Sequence, residues 1–160
     1  MQFEFKAAWL KNDPKLIAEA TAFWKGLGLP QTLIEERAPA LCSMAYAGGE
    51  LVGLTTVKLQ MERALRSRLA AYRCIVAPKH RRQSLAILLT RHTLITMEGW
   101  SNDNPHEKVN GLATVLEAHE LDEKAHNPVW GEYYGNLNLV GFTDRGEQIR
   151  VAWFRHARID

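Results

Sequence analysis

The chain has 160 residues, of which 46% are hydrophobic and 24% charged, with a formal net charge of +2 at pH 7. This length suits a single domain spanning residues 1–160, and no apolar run approaches the about 20 residues that a membrane-spanning helix needs. Two cysteines are too few for a disulfide framework, and the N-terminus lacks a secretory signal pattern, so we expect a cytoplasmic protein without membrane contact.

The N-terminal part is predicted to form a strand, two helices and a hairpin. Asp13 is a good helix cap, and Pro14 suits the first helical position. Gly48-Gly49 is a two-residue hairpin signal between two strand-like runs. The expected elements are a strand over about 2–8, a helix from Asp13 to Gly26 or Gly28, a short helix over 31–37, and strands over 40–47 and 51–60.

The most informative stretch is a strand, a basic loop and a helix. Residues 69–76 form an apolar run broken only by Arg73, as expected of a buried central strand. Pro78 ends that strand because it has no N–H for the ladder, and Ser84 is a suitable cap for a helix reaching about Glu98. His92 on this helix is predicted to be a hydrogen-bonded histidine at the edge of the core.

The loop between this strand and helix has the chemistry of an anion site. The first backbone N–H groups of a helix lack intrahelical partners, and the helix dipole adds partial positive charge there. Lys79, His80, Arg81 and Arg82 add further charge around them. The unit therefore suits phosphate or pyrophosphate, although an ordinary solvated loop also explains a lone basic turn.

The C-terminal part is predicted to contain strands around a fourth helix. Residues 118–126 are charged and are expected to form a loop or a frayed helical turn. Asn127-Pro128 resembles a second helix start, although Gly131 and Gly135 weaken the helix expected up to Val140. The remaining expected elements are a strand over 108–116, a turn over 143–146 and a last strand over 148–156. The predicted order is β-α-α-β-β-β-α-β-α-β-β.

The sequence of the loop resembles the acyl-CoA loop of the GNAT superfamily of N-acyltransferases. That loop reads Val-x-Pro-x-x-Arg-x-x-Gly-(Ile/Leu)-(Gly/Ala)-x-x-Leu, and Ser84 stands here where glycine is usual. The phrases Ala-Gly-Gly-Glu-Leu-Val-Gly before the loop and Leu-Val-Gly-Phe after it also resemble the family. The residues that match the loop are Val76, Pro78, Arg81, Leu85, Ala86 and Leu89.

The resemblance implies an α+β (mixed α/β) fold and an acyl-CoA co-substrate. Its central, mostly antiparallel mixed sheet of six to seven strands would be flanked by about four helices and splayed in the middle. Acetyl-CoA is favoured because it is the family's commonest donor, and we expect no metal. The expected CoA-binding residues are Cys74, Ile75 and Val76, which would pair with the pantetheine arm, and Arg81, Arg82, Gln83, Ser84, Leu85 and Ala86, which would hold the pyrophosphate.

The catalytic groups depart from the pattern of the family. In the family a tyrosine four residues before the Gly-Phe pair often protonates the leaving thiolate, but that position is Leu137. Tyr133 or Tyr134 could supply the phenol, with packing as the alternative role. Because residues 69–76 contain no Asp or Glu, Glu117 is the candidate base and Glu120 the other guess, with a surface acid as the alternative role of each.

The expected function is acetyl transfer from acetyl-CoA to a primary amine on a small molecule or a protein. In the family the first helix pair covers one side of the acceptor site, and a homodimer is possible. The missing carboxylate leaves a non-catalytic acyl-CoA-binding relative, a sensor or assembly subunit, as an alternative. Nine Lys and Arg from Lys58 to Arg91 against Glu62 alone leave a nucleic-acid-directed acyltransferase or binder as a third, ranked last.

Overall fold

The computed structural model describes residues 2–116 and 123–160. It contains a seven-stranded sheet with strand order β1-β2-β3-β4-β5-β7-β6. The strands are β1 Glu4–Ala7, β2 Leu41–Ala47, β3 Glu50–Glu62, β4 Ser67–Val76, β5 Val109–Leu116, β6 Asn138–Phe142 and β7 Gln148–Trp153. The α-helices in the described residues are α1 Pro14–Gly26, α2 Gln31–Arg37 and α3 Leu85–Asp103.

The sheet is mixed and mostly antiparallel, which confirms the predicted α+β fold class. The pairs β1–β2, β2–β3, β5–β7 and β6–β7 are antiparallel. The pair β4–β5 is parallel, with Arg68 opposite Val109 and Ala71 opposite Ala113. The chain divides into two compact units, residues 1–58 with 73–96 and residues 59–72 with 97–160, so the single-domain organisation stays a prediction.

In the first unit, α1 and α2 pack on one face of the strands. Their inward residues include Leu16 and Trp24 of α1 and Ile34 of α2. These side chains form one apolar cluster with Met44 of β2, and Ile75 of β4 packs against this cluster. As predicted, Asp13 caps α1, because its Oδ1 accepts from the Lys15 N–H at 2.9 Å.

The start of α3 packs on the opposite face of the same strands. Leu85 and Leu89 are fully buried there against Ala45 and Val52, with Cys74 at the margin of the cluster. Gly53 lies directly beneath the helix: a Cβ at this position would come within 2.9 Å of Leu89 Cδ1. The missing side chain therefore lets α3 approach β3 closely.

The second unit is built around β5 and β7, which pair from Gly111–Trp153 to Leu116–Gln148. Leu69, Ala113 and Val151 form its small apolar cluster. A Cβ on Gly111 would lie 2.8 Å from Ala152 O, so this pairing also depends on the absence of a side chain.

The predicted helix over residues 127–140 is wrong. The described chain has a short 3-10 turn at Glu132–Tyr134, and β6 begins at Asn138. Instead of the expected four helices, the described residues therefore form three α-helices. Gly135 and Asn136 have φ of +75° and +55°, which a right-handed helix cannot accommodate. Gly135, one of the two glycines that weakened the prediction, thus lies where the predicted helix fails.

Candidate active site

The loop after β4 is held by backbone hydrogen bonds at its start and by a buried histidine in its middle. Ala77 N–H donates to Val52 O at 2.8 Å, which continues the contact between β3 and the end of β4. A 3-10 turn over Pro78–His80 follows. His80 is only 5% exposed, and its Nδ1 lies 2.7 Å from Gln83 Oε1, so this ring shapes the loop from inside.

Ser84 has the backbone conformation that glycine favours. Its φ is +59°, in the left-handed region, while its carbonyl accepts the first helical hydrogen bond, from Leu88 N–H at 3.1 Å. Ser84 therefore occupies the cap position predicted for it, but not with the extended backbone of an ordinary N-cap. This positive φ explains why glycine is usual at this position in the family that the loop resembles.

The basic side chains of the loop have different partners. Arg81 Nε donates to Val76 O at 3.2 Å, so this arginine ties the loop back to the end of β4. Lys79 Nζ lies 3.1 Å from a carboxylate oxygen of Glu50, an exposed ion pair worth little to stability. Arg82, Gln83 and Ser84 are exposed. The loop thus offers positive charge and accessible backbone directly before a helix.

The first residues of α3 anchor the helix while leaving its backbone at the surface of the loop. The side chain of Leu85 is fully buried and that of Ala86 is exposed, so the first turn has one face in the core and one at the surface. Their N–H groups precede the first helical bond, which Leu88 makes, and helix geometry leaves such groups without intrahelical partners. These residues fit an anionic group such as a pyrophosphate.

The residues at the end of β4 alternate between the two faces of the first unit. Cys74 and Val76 pack toward α3, whereas Ile75 packs toward α1 and α2. Their side chains are thus committed to packing. Any contact with an extended ligand would come from their backbone groups.

The two candidate phenols lie in the second unit, on the 3-10 turn that replaces the predicted helix. Tyr133 is 52% exposed and packs edge-on against Tyr134, with ring centres 4.9 Å apart. Tyr134 is half-buried beside Trp130, and Lys124 Nζ lies 4.8 Å from its ring centre. Tyr133 is therefore the phenol with free surface, and Tyr134 is the one that packs.

A buried arginine that the sequence gave no reason to single out organises this turn. Arg150 on β7 is 0% exposed, and burial lowers its pKa. Its guanidinium donates to the carbonyls of Leu137, Ala125 and Asn127 at 2.8–3.2 Å, and it lies 3.8 Å from the ring centre of Trp130. Only the tertiary structure reveals the carbonyls around it.

Two other positions discussed from the sequence are Leu137 and Glu117. Leu137, at the usual tyrosine position, is 1% exposed and belongs to the core of the second unit. Glu117, the candidate base, lies outside the described residues, as does Glu120.

His92 belongs to a buried polar network rather than to a catalytic group. Its Nδ1 lies 2.9 Å from Ser43 Oγ, and its ring stacks on Phe5. Thr93 Oγ1 donates to the same serine oxygen, and Thr55 Oγ1 lies 2.7 Å from Thr93 Oγ1. Ser43 is 0% exposed, so no substrate reaches this Ser–His contact, and His92 has the hydrogen-bonded core-edge role predicted for it.

In residues 2–116 and 123–160, no group of three or more His, Cys, Asp or Glu side chains is placed to hold a metal ion. Over the same residues, no helix has both the length and the apolar character needed to cross a bilayer.

The comparison with solved structures identifies the fold. An N-acetyltransferase from Staphylococcus aureus Mu50 superposes with a TM-score of 0.61 at 11% identity, over 96% of this chain and 99% of that one. A GNAT-family acetyltransferase from Streptococcus pneumoniae gives 0.60 at 12% identity, over 96% and 99%. An aminoglycoside 6′-N-acetyltransferase complexed with coenzyme A gives 0.56 at 13% identity, over 98% and 99%.

The chain therefore has the GNAT fold, as its loop motif indicated. No family model matches the sequence, and no curated protein matches it either. At 11–13% identity the likeness establishes the architecture, and the activity has to be argued from the residues.

Proposed function

We propose that this chain is an N-acyltransferase that uses acetyl-CoA to acetylate a primary amine. The observation that carries the proposal is the loop between β4 and α3. A tether from Arg81 to the end of β4, a glycine-like backbone at Ser84 and exposed positive charge lie together directly before a helix. A structure with the same fold was solved with coenzyme A, which supports this assignment.

The proposal assigns the donor molecule to two stretches of the chain. The backbone of Arg81, Arg82, Gln83, Ser84, Leu85 and Ala86 would hold the pyrophosphate, with the two arginines adding charge. The backbone of Cys74, Ile75 and Val76 would pair with the amides of the pantetheine arm. The splay of the sheet that would admit this arm stays a prediction.

The chemistry needs few protein groups, because the thioester is already activated. The amine nitrogen forms a bond to the acyl carbon, the carbon–sulfur bond breaks, and the amine loses a proton. Tyr133, the exposed phenol of the pair, is the proposed donor of a proton to the leaving thiolate, and Tyr134 is the alternative. Glu117 is the proposed acceptor of the amine proton, directly or through water.

One observation favours a second function, binding of acyl-CoA without turnover. The position where a tyrosine would be usual carries the buried Leu137, and β4 has no carboxylate. A sensor or assembly subunit would keep the loop and lack the proton-transfer groups. The possible homodimer, the cytoplasmic location and the lower-ranked nucleic-acid function stay predictions.

The first experiment is thermal unfolding with and without acetyl-CoA, with 3′-dephospho-CoA beside it. A ligand of the native state stabilises by RT ln(1 + [L]/Kd), about 2.7 kcal/mol at 100 Kd. We expect a clear rise in Tm with acetyl-CoA and a smaller one with the dephospho compound. Arg82→Glu should weaken acetyl-CoA binding about tenfold or more, because it reverses the charge beside the phosphates.

Arg91→Glu is the matched control, since Arg91 is exposed on α3 and away from the loop, and it should bind as the parent does. Release of free CoA thiol across a panel of primary amines then separates the two functions. Binding with turnover supports the transferase, and binding without turnover on any amine supports the sensor. No binding at millimolar acetyl-CoA would overturn both.

A further inference from the structure

The ring of His80 is the inward-facing part of a loop whose other side chains lie at the surface. His80 is 5% exposed, whereas residues 78, 79 and 81–84 around it are exposed. Phe3 packs edge-on against the imidazole, with ring centres 6.1 Å apart, and Phe3 also packs against the cluster of Leu85 and Leu89. The ring is therefore held in place by the same core that anchors α3.

Two hydrogen bonds join His80 to Gln83. The ring Nδ1 lies 2.7 Å from Gln83 Oε1, and the Gln83 N–H donates to His80 O at 3.3 Å. Because an amide oxygen can only accept, the ring donates from Nδ1. The turn over residues 80–83 is thus closed twice, once through side chains and once through the backbone.

This closed turn leads directly into the backbone that the proposed function assigns to the pyrophosphate. Ser84 comes next, with a φ of +59°, and the N–H groups of Ser84 and Leu85 precede the first helical hydrogen bond, which Leu88 makes. The peptide between Gln83 and Ser84 is planar, so the backbone of Gln83 determines where the Ser84 N–H points. A residue that fixes Gln83 therefore also aims the first donor of the anion site.

We infer that His80 is a positioning residue for acyl-CoA, because its bonds to Gln83 hold the turn that aims the N–H groups of Ser84 and Leu85 at the pyrophosphate. This inference rests on the proposed function. His80 is buried, so it acts through Gln83. Without the side-chain bond, the loop would adopt the binding conformation for only part of the time, and the apparent Kd would rise by the inverse of that fraction.

The test separates the hydrogen bond from the volume of the ring, with Kd for acetyl-CoA measured by isothermal titration calorimetry. His80→Phe keeps an aromatic ring beside Phe3 and removes the donor, and Gln83→Met keeps the length of the side chain and removes the acceptor. Each should raise the Kd about fivefold or more. His80→Asn places an amide nitrogen near the position of Nδ1 and should return the Kd to within about twofold of the parent value.

A double variant shows whether the two side chains act as one contact. His80→Phe/Gln83→Met should weaken binding no more than either single substitution does, because the bond can be lost only once. His92→Gln is the matched control, since His92 is a hydrogen-bonded histidine that contacts Ser43 away from the loop. It should leave the Kd for acetyl-CoA unchanged even where it lowers Tm.

The choice of ligand shows which part of acyl-CoA depends on the turn. 3′-Dephospho-CoA keeps the pyrophosphate, so its affinity should fall by the same factor as that of CoA. S-acetylpantetheine lacks the pyrophosphate, so as an acyl donor it should release thiol equally fast with the parent and with His80→Phe.

The outcomes distinguish this inference from the proposed function. An unchanged Kd in both single variants, additive losses in the double variant, or an equal loss with S-acetylpantetheine would overturn the positioning role. Gln83→Met, altered at an exposed side chain, tests the same bond should His80→Phe not fold. A failure of the parent itself to bind acetyl-CoA would instead overturn the proposed function.

Discussion

The guanidinium of Arg150 lies 3.8 Å from the ring centre of Trp130, so this completely buried side chain makes a cation–π contact. Around that contact, Arg150 donates hydrogen bonds to three backbone carbonyls from the segment that precedes β6. Trp130 is held in turn, because its Nε1–H donates to Lys124 O at 2.9 Å. One side chain from the last strand thus fixes the segment that carries both candidate phenols.

Replacing Arg150 by leucine should destabilise the protein by roughly 2–4 kcal/mol, because it leaves buried carbonyls without donors. Urea unfolding measures the loss. Arg145→Leu is the matched control, since Arg145 is exposed on the β6–β7 turn, and it should change stability by less than about 0.5 kcal/mol. Similar losses for both variants would show that the carbonyl contacts of Arg150 contribute little.

Replacing Ser84 by glycine should raise the free energy of unfolding by about 0.5–1 kcal/mol, because the left-handed conformation at this residue penalises any side chain. Valine should lower it by about 1 kcal/mol, since a β-branched residue tolerates that conformation least. Alanine separates the backbone effect from loss of the hydroxyl. If glycine is no more stable than alanine, the strain assigned to Ser84 is absent.

The His92 network predicts a loss of stability below neutral pH. Burial lowers the pKa of His92 below its ordinary value of about 6.5, so the unfolded chain takes up the proton first. Stability is therefore full above about pH 6.5, and it falls with pH until the folded-state pKa is reached.

Urea unfolding between pH 7.5 and 5 tests this assignment in the parent, His92→Gln and His126→Gln. The His92 variant should lose less stability over this range than the parent loses. The His126 variant, altered at an exposed histidine, should follow the parent. Parallel pH profiles for the parent and the His92 variant would contradict the assignment.

Cys42 should resist alkylation in the folded protein. It is 0% exposed, and burial raises its pKa to about 12, so at pH 8 only about one thiol in ten thousand is ionised. In a Cys74→Ser variant, mass spectrometry after iodoacetamide treatment should find Cys42 unmodified in buffer and modified in urea. Rapid labelling in buffer would mean that the β2 core opens on the timescale of the assay.

Alanine at Gly111 should destabilise the second unit by about 1–3 kcal/mol, because its Cβ would meet Ala152 O at 2.8 Å. Gly99→Ala is the control, and it should stabilise the protein. Nothing lies within 4 Å of a Cβ at Gly99 on α3, and alanine is the better helix former by about 0.5–1 kcal/mol. The two variants should therefore move Tm in opposite directions.

The sequence predicted the fold well wherever local chemistry and burial agreed. The Asp13-Pro14 start, the Gly48-Gly49 hairpin and the apolar run of β4 all have local signals, and each lies where it was expected. The segment after Asn127 has helical spacing, but it carries two glycines. There, a positive φ at Gly135 and the carbonyl contacts of Arg150 outweigh the periodicity.

The candidate site, too, was only partly predictable from the sequence. The strand–loop–helix unit of the proposed acyl-CoA loop was predictable, because β4, the loop and α3 are contiguous in the chain and have characteristic spacing. The surroundings of Arg150 were not, because its carbonyl partners lie 13–25 positions earlier in the chain and meet it only through tertiary packing. The catalytic assignments to Tyr133, Tyr134 and Glu117 stay predictions.

The close approach of Leu89 to Gly53 has a consequence for how such a protein changes over time. It sets the height of α3 above the sheet, and with it the place where the N–H groups of the first turn come to lie. Those groups belong to the main chain and are present whatever side chains the loop carries. A chain that kept this helix-to-strand spacing could change most of its other residues, including Ser84 to glycine, and still present the main-chain groups of the proposed anion site at the same place.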